Sequence, residues 1–174
     1  WVFAPGWQLY ADGEHVEAFA GENYNSTANG KIEYPVVADP ESSEINQAFI
    51  GYADERIDSA FGRQKVNLDN QRFFGDVGWR QNEQTFDAFS LSSKTTNSGP
   101  ILRYVYVDRV LRVFGHDNPN PLLREWSLNG NLFHLDQTLP LGQLTGYAYL
   151  VENNDIDTNS TQTWGLRWTG SQAF

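Results

Sequence analysis

Residues 161–170, "TQTWGLRWTG", place Trp164, Leu166 and Trp168 at every second position, with Thr163, Gly165, Arg167 and Thr169 between them. Successive side chains of a β-strand point to opposite faces, so this spacing yields a ribbon with one large apolar side and one small or polar side. The same period returns in "REWSLNGNLFH" (124–134), where Trp126, Leu128 and Leu132 alternate with Ser127, Asn129 and Asn131. Other segments are less clean. "ILRYVYVD" (101–108) is apolar on both faces apart from Arg103, and "SAFGRQKV" (59–66) mixes its faces. Helical periodicity is scarce throughout.

Read this way, the chain predicts nine strands, at 2–11, 14–24, 44–53, 57–66, 82–92, 101–109, 123–135, 143–151 and 161–173. Asp12-Gly13 is a two-residue hairpin signal between the first two. The connections then alternate in length: "NSTANGKIEYPVVADPESS" is long, "DER" short, "NQRFFGDVGWRQNEQ" (70–84) long, and "SSKTTNSGP" intermediate. "VLRVFGHDNPNPL" is long, "DQTLPLG" short, and "ENNDIDTNS" longer again. In an up-and-down antiparallel barrel alternate connections emerge at the same end, and outer-membrane barrels keep short turns at one end and long loops at the other. The expected fold class is therefore all-β, an antiparallel up-and-down transmembrane β-barrel, with a soluble β-sandwich or jelly roll as the alternative. Aromatic residues make up 14% of the chain, and Tyr10, Tyr24, Tyr52, Phe114, Trp126 and Trp164 fall near expected strand ends, where membrane-interface girdles collect them.

The 174 residues suffice for one domain, read here as a single β-barrel segment over 1–174. Trp1 in place of Met predicts a chain that is processed or is a fragment. With no Cys, disulfides, thiolate metal sites and Cys nucleophiles are all excluded. A formal charge of −10 argues against general affinity for nucleic acid. Its distribution is uneven: residues 1–58 hold 11 acids and 2 bases, residues 59–124 hold 6 acids and 9 bases, and residues 125–174 hold 5 acids and 1 base. Nine of the twelve bases are Arg, whose planar fork grips carboxylates, so the basic middle third points to an anionic small-molecule or polysaccharide partner. No apolar run reaches the ~20 residues of a membrane helix, which leaves barrel strands untouched.

The stretch "FGRQKVNLDNQRFFGDVGWRQNEQTFDAFSL" (61–91) resembles the alginate-export family of bacterial outer-membrane β-barrels. In that family Gly-Arg-Gln before an Asn-rich loop, Gln-Arg-Phe, Gly-Trp-Arg-Gln-Asn-Glu-Gln and Thr-Phe-Asp-Ala follow in this order. "YPVVADPESSEINQAF" before it, and "YVYVDRVLRVFG", "LTGYAYL" and "STQTWGLRWTGS" after it, extend the likeness over most of residues 34–170. The resemblance implies a Gram-negative outer-membrane location, outer-membrane lipid as a partner, alginate as cargo, and a barrel of about eighteen strands. Nine strands are half of that, and a half barrel would leave unpaired edges in lipid, so the natural chain is expected to continue beyond Phe174.

With long connections gathered at one end, Arg63, Lys65, Arg72 and Arg80 approach the same mouth as Arg109 and Arg112. Glu83, Asp87 and Arg167 complete the candidate solute-binding set. Cations around a low-dielectric opening concentrate anions. "NQRFFGDVGWRQNEQ" is then expected to fold over or into the lumen, arginines towards solute, with Phe73, Phe74 and Trp79 anchoring it to the wall. The competing reading pairs those arginines with Asp69, Asp76, Glu83 and Asp87 in a structural ion network. The sequence leaves both open. Asn153, Asp155, Asp157 and Asn159 offer hard oxygens but lack the glycine and closing glutamate of an EF-hand, and read as a solvated loop. His15, His116 and His134 share no ligand spacing, and neither a metal nor a cofactor is expected. Glu83 and Asp87 carry no mark of a glycosidase pair, and no nucleophile triad or phosphate loop is present, so no enzymatic activity is expected.

Overall fold

Alternating strands joined by tight turns pair with their sequence neighbours, and this chain does so from end to end. The computed structural model describes residues 1–19, 21–96 and 99–170. Nine strands form one antiparallel sheet in sequence order: β1 Val2–Ala4, β2 Trp7–Val16, β3 Ser42–Ala53, β4 Ile57–Gln64, β5 Thr85–Lys94, β6 Ile101–Leu111, β7 Glu125–Leu139, β8 Gly142–Asn153 and β9 Thr161–Thr169. One sheet, rather than two packed layers, holds them all. The only α-helix among the described residues is the single turn α1, Pro121–Arg124. Among the described residues no helix is long and apolar enough to cross a membrane, which says nothing of strands. The long connections, 17–41, 65–84 and 112–124, leave from one end, and the short ones from the other. The end of the last expected strand, 171–173, lies outside the described residues.

Register defines two faces. One rung runs Trp7, Tyr52, Ser59, Leu91, Tyr104, Phe133, Ala148 and Trp164 across eight strands, each residue directly opposite the next. Among the described residues nothing packs over this face: Trp164, Leu166 and Trp168 are 68%, 80% and 51% exposed, and we call it the open face. Residues one position along point the other way, onto a face covered in its upper half by the 65–84 connection. There Val66, Leu68 and Phe74 pack on Phe86, Val105, Val107, Leu128, Leu132 and Tyr149 to make the core.

Two sequence expectations need correction. Asp12-Gly13 is not a hairpin. The turn lies at Pro5-Gly6, where Gly6 takes a φ of +78° that only glycine adopts without strain, and its carbonyl accepts from Ala53 N at 2.8 Å. β2 runs on through Asp12-Gly13 opposite a bulge in β3, Asp12 facing Gln47 and Gly13 facing Ile45, with Asn46 the extra residue. Residues 17–19 and 21–24, expected as strand, belong to the long connection, and residue 20 of that expected strand lies outside the described residues.

The alternation read in β7 holds, with its apolar side turned inward. Leu128 and Leu132 lie on the covered face, buried, while Ser127, Asn129 and Asn131 share the open face with Phe133 and Leu135. The cause is the connection: where it packs, the inner face is apolar too. This also explains "ILRYVYVD", in which Val105 and Val107 meet the connection while Leu102, Tyr104 and Tyr106 stay on the open face.

Candidate functional site

The 65–84 connection is a closed lobe. Asn67 and Asp76 clasp its base, Asn67 Nδ2 donating to Asp76 Oδ2 at 3.0 Å and Asp76 N to Asn67 Oδ1 at 2.8 Å. Leu68 N donates to the Phe74 carbonyl at 3.2 Å and Gln71 N to the Leu68 carbonyl at 2.9 Å. Such tight winding forces Asp69, Gln71 and Val77 to positive φ values of 53°, 59° and 54°. Left-handed backbone is costly for a β-branched residue such as Val77, on the order of 1–3 kcal/mol, and persists only where surrounding contacts impose it.

Those contacts are aromatic and ionic. Phe74 meets Phe86 and Tyr149 at centroid distances of 5.9 and 5.5 Å, and Phe73 meets Tyr147 and Tyr149 at 5.6 and 6.0 Å. Asp69 pairs with Arg167 of β9. Lys65 pairs with Glu83 and lies 3.9 Å from Asp76. The hydrogen bond to the Glu83 carboxylate holds the Lys65 pKa above its ordinary value. Glu83 also accepts from Asn46 Nδ2 at 2.9 Å, which ties the lobe to β3.

Arg72 differs from its neighbours. Its guanidinium lies 5.7 Å from the Phe73 ring centroid, its side chain is exposed, and it has no ion-pair partner among the described residues. Below the lobe, towards the short turns, the covered face turns polar. Arg103 pairs with Asp136, which also accepts from Thr145 Oγ1 at 2.8 Å and Gln143 Nε2 at 3.0 Å. His134 Nδ1 lies 2.8 Å from the Tyr149 hydroxyl, and its Nε2 lies 3.3 Å from Asp136 Oδ2, off the line a hydrogen bond needs. Between lobe and strands lies a cavity of about 390 Å³, lined by Asp58, Gln64, Lys65, Ser90, Ser92 and Arg103.

The expected cation cluster at one mouth divides into three groups. Lys65, Arg72, Glu83 and Arg167 belong to the covered face. Arg80 and Arg112 belong to the rim: Arg80 stacks 4.3 Å over Trp79 and reaches Asp39 at 3.4 Å, in the first long connection. Arg112 is held between the rings of Phe114 and Trp126, at 4.7 and 4.1 Å, and donates to the Leu122 carbonyl at 2.6 Å; burial lowers its pKa. Arg63, Asp87 and Arg109 stand opposite one another on the open face. Arg63 Nε and Nη2 reach Asp87 at 2.8 and 3.2 Å, and Arg109 Nη1 reaches Glu125 at 3.2 Å. These three residues therefore do not line the covered face. Strand parity is the reason: Arg63 sits between Gly62 and Gln64, which point inward.

Phe73 and Phe74 anchor the lobe as expected, but Trp79 does not. It is 75% exposed at the rim. There the long connections knit together, Asn82 Nδ2 donating to the Pro40 carbonyl at 3.0 Å and Asn118 Nδ2 to Thr27 Oγ1 at 3.3 Å. Arg103, His134, Asp136 and Thr145 were not anticipated as a set. Arg103 is visible as the one charge in "ILRYVYVD", and His134 and Asp136 share a parity, but only register brings them to Thr145 on the next strand. In the 153–159 loop Asn153 Oδ1 accepts from Asp155 N and Ile156 N, and Asp155 Oδ2 from Ser127 N, so these oxygens cap backbone. Among the described residues no group of three or more His, Asp or Glu side chains is placed to hold a metal ion.

A scan against protein-family models, a search of curated proteins and a search of solved structures each return no match to this chain.

Proposed function

We propose that this chain is part of an outer-membrane β-barrel that acts as a passive, porin-like channel for anionic or sugar-acid solutes, alginate-like polyuronates among them. The observation that carries the reading is the sidedness of the sheet. Trp164, Leu166 and Trp168 stand uncovered on one face, while Arg167, between them in sequence, points to the other beside Asp69. Water-exposed apolar patches of this extent are rare on soluble monomers, whereas a lipid-facing belt about 25 Å tall is the ordinary outer surface of a barrel. Alternation of long and short connections, and the resemblance of residues 34–170 to the alginate-export family, support the same reading.

In this channel the 65–84 lobe narrows the lumen. Arg72 projects from its tip without a carboxylate partner among the described residues, and is the cation a passing anion meets. Arg103 and Arg167 lie deeper, each held by an acid. Planar-bilayer recording of the full-length natural protein tests this. Arg72→Glu should shift the reversal potential in a salt gradient towards cation preference, and an unchanged potential removes Arg72 from the path. A protein that stays dispersed without detergent, and migrates identically on a gel before and after boiling, overturns the barrel reading itself.

A further inference from the structure

We propose that the open face carries a docking site for an acyl lipid with a phosphorylated headgroup, built from an apolar groove across β2–β4 and the arginine row at its upper end. The inference rests on the membrane reading above. On β2, β3 and β4, Leu9, Ala11, Ala48, Ile50 and Phe61 bound a groove of about 670 Å³. Ala11 and Ala48 face each other across the strand pair, so the floor is low where the flanking Leu9, Ile50 and Phe61 stand tall. A volume in the range of about 300–1,000 Å³ is typical of small-molecule sites. An entirely aliphatic and aromatic lining suits hydrocarbon.

What selects the occupant is the upper end. Ala48 is the direct cross-strand partner of Arg63, so the groove runs into the row Arg63, Asp87, Arg109 in the rung above Phe61, Phe89 and Tyr106. Arg63 is fully committed, to Asp87 and to the Ile45 carbonyl at 3.2 Å. Arg109 is not. It makes one 3.2 Å contact to Glu125 and a loose 3.9 Å approach to Asp87, its side chain is 42% exposed, and its Nη2 has no protein partner among the described residues. An open guanidinium fork is the group that binds phosphate in two-pronged fashion. Beyond Arg109 the open face bears Ser127, its direct partner on β7, then Asn129 and Glu152 on β7 and β8 and no cation, so the site is local to the groove side of the sheet.

The test is native mass spectrometry of the full-length natural protein in detergent, incubated with diphosphoryl lipid A. Wild type should retain one lipid per chain. Arg109→Gln, and separately Ala48→Leu, which fills the groove, should each lower retention at least tenfold, and dephosphorylated lipid A should bind wild type at least tenfold more weakly. Equal retention by both variants, or of both lipids, overturns the lipid site. Heat-dependent gel migration is followed on the same samples. If it persists while retention is insensitive to the variants, the lipid site alone fails; if wild type lacks it, the membrane reading fails first.

Discussion

The ring of Tyr147 on β8 lies directly over Gly165 on β9, so close that a β-carbon at 165 would overlap its Cζ and hydroxyl. Tyr147 in turn supports Phe73, and Phe73 the lobe. Gly165 thus acts on the covered face through two aromatic rings. Gly165→Val should push Tyr147 off its place, loosen the lobe, and cost about 1–3 kcal/mol, the usual range for overpacking. Urea unfolding in detergent reads the stability, and the near-ultraviolet dichroism of the tyrosines should weaken with it. Gly146→Ala, where the nearest neighbour is the flexible Leu166 side chain, should be far milder.

Asp69 and Arg167 join the tip of the lobe to the last described strand. Arg167 Nε has no hydrogen-bond partner among the described residues, so the Asp69 carboxylate is the chief compensation for its charge. Removing Asp69 by substitution with Ala should release the lobe, seen as faster proteolysis within 65–84 and, on the channel function proposed above, as larger single-channel conductance. A double-mutant cycle of Asp69→Ala and Arg167→Ala should give a coupling of about 0.5–3 kcal/mol, as expected for residues in one ion pair. Independent effects would show that the lobe is held by Phe73 and Phe74 alone.

Asp54 in the β3–β4 turn sets a pH dependence. Its carboxylate accepts from Arg56 N and Ile57 N at 2.8 Å each and from the Tyr52 hydroxyl at 3.0 Å, and these bonds, the Arg56 amide foremost, hold its pKa below the ordinary aspartate value. The folded-state value is the lower one. The stabilisation is therefore complete above the unfolded pKa and disappears as pH falls through the folded one. Between about pH 5 and about pH 2, Asp54→Asn should flatten part of the acid loss of thermal stability seen in wild type. Identical acid slopes would show that the turn does not depend on this carboxylate.

Much of the sheet was legible because period-two patterning survives wherever one face is uncovered. β9, with Trp164, Leu166 and Trp168, is the clearest case. Parity alone does not say which face lies inward where a second body covers one: Leu128 and Leu132 repeat the alternation of β9, and the lobe that buries them lies some 60 residues away in sequence. Asp12-Gly13 misled for a local reason: the dipeptide makes a tight hairpin only where its residues take positive φ, and here neither does, the strand running on opposite a bulge in β3. For the site, residue type and loop membership brought Lys65, Arg72 and Glu83 to the covered face. The same reasoning could not tell that Arg63 and Arg109 face outward, because one residue of register moves a side chain from one face to the other. Register also assembles Arg103, His134, Asp136 and Thr145 from three strands.

Leu132 and Leu166 make the decisive contrast. Leu132 is fully buried under the lobe, so Leu132→Ala should cost about 2–5 kcal/mol in any solvent that keeps the sheet folded. Leu166 is 80% exposed on the open face. If water bathed that face, Leu166→Lys would be nearly silent, within about 0.5 kcal/mol, as surface substitutions away from special contacts usually are. If lipid covers it, a lysine near the middle of the belt should cost about 2–4 kcal/mol in bilayers and much less near either interface. Unfolding free energies measured in lipid vesicles for Leu166→Lys, with Gln162→Lys nearer the long-connection end as its comparison, therefore separate the two surroundings. A large penalty at 166 and a small one at 162 places the belt in hydrocarbon, and two small penalties place it in water.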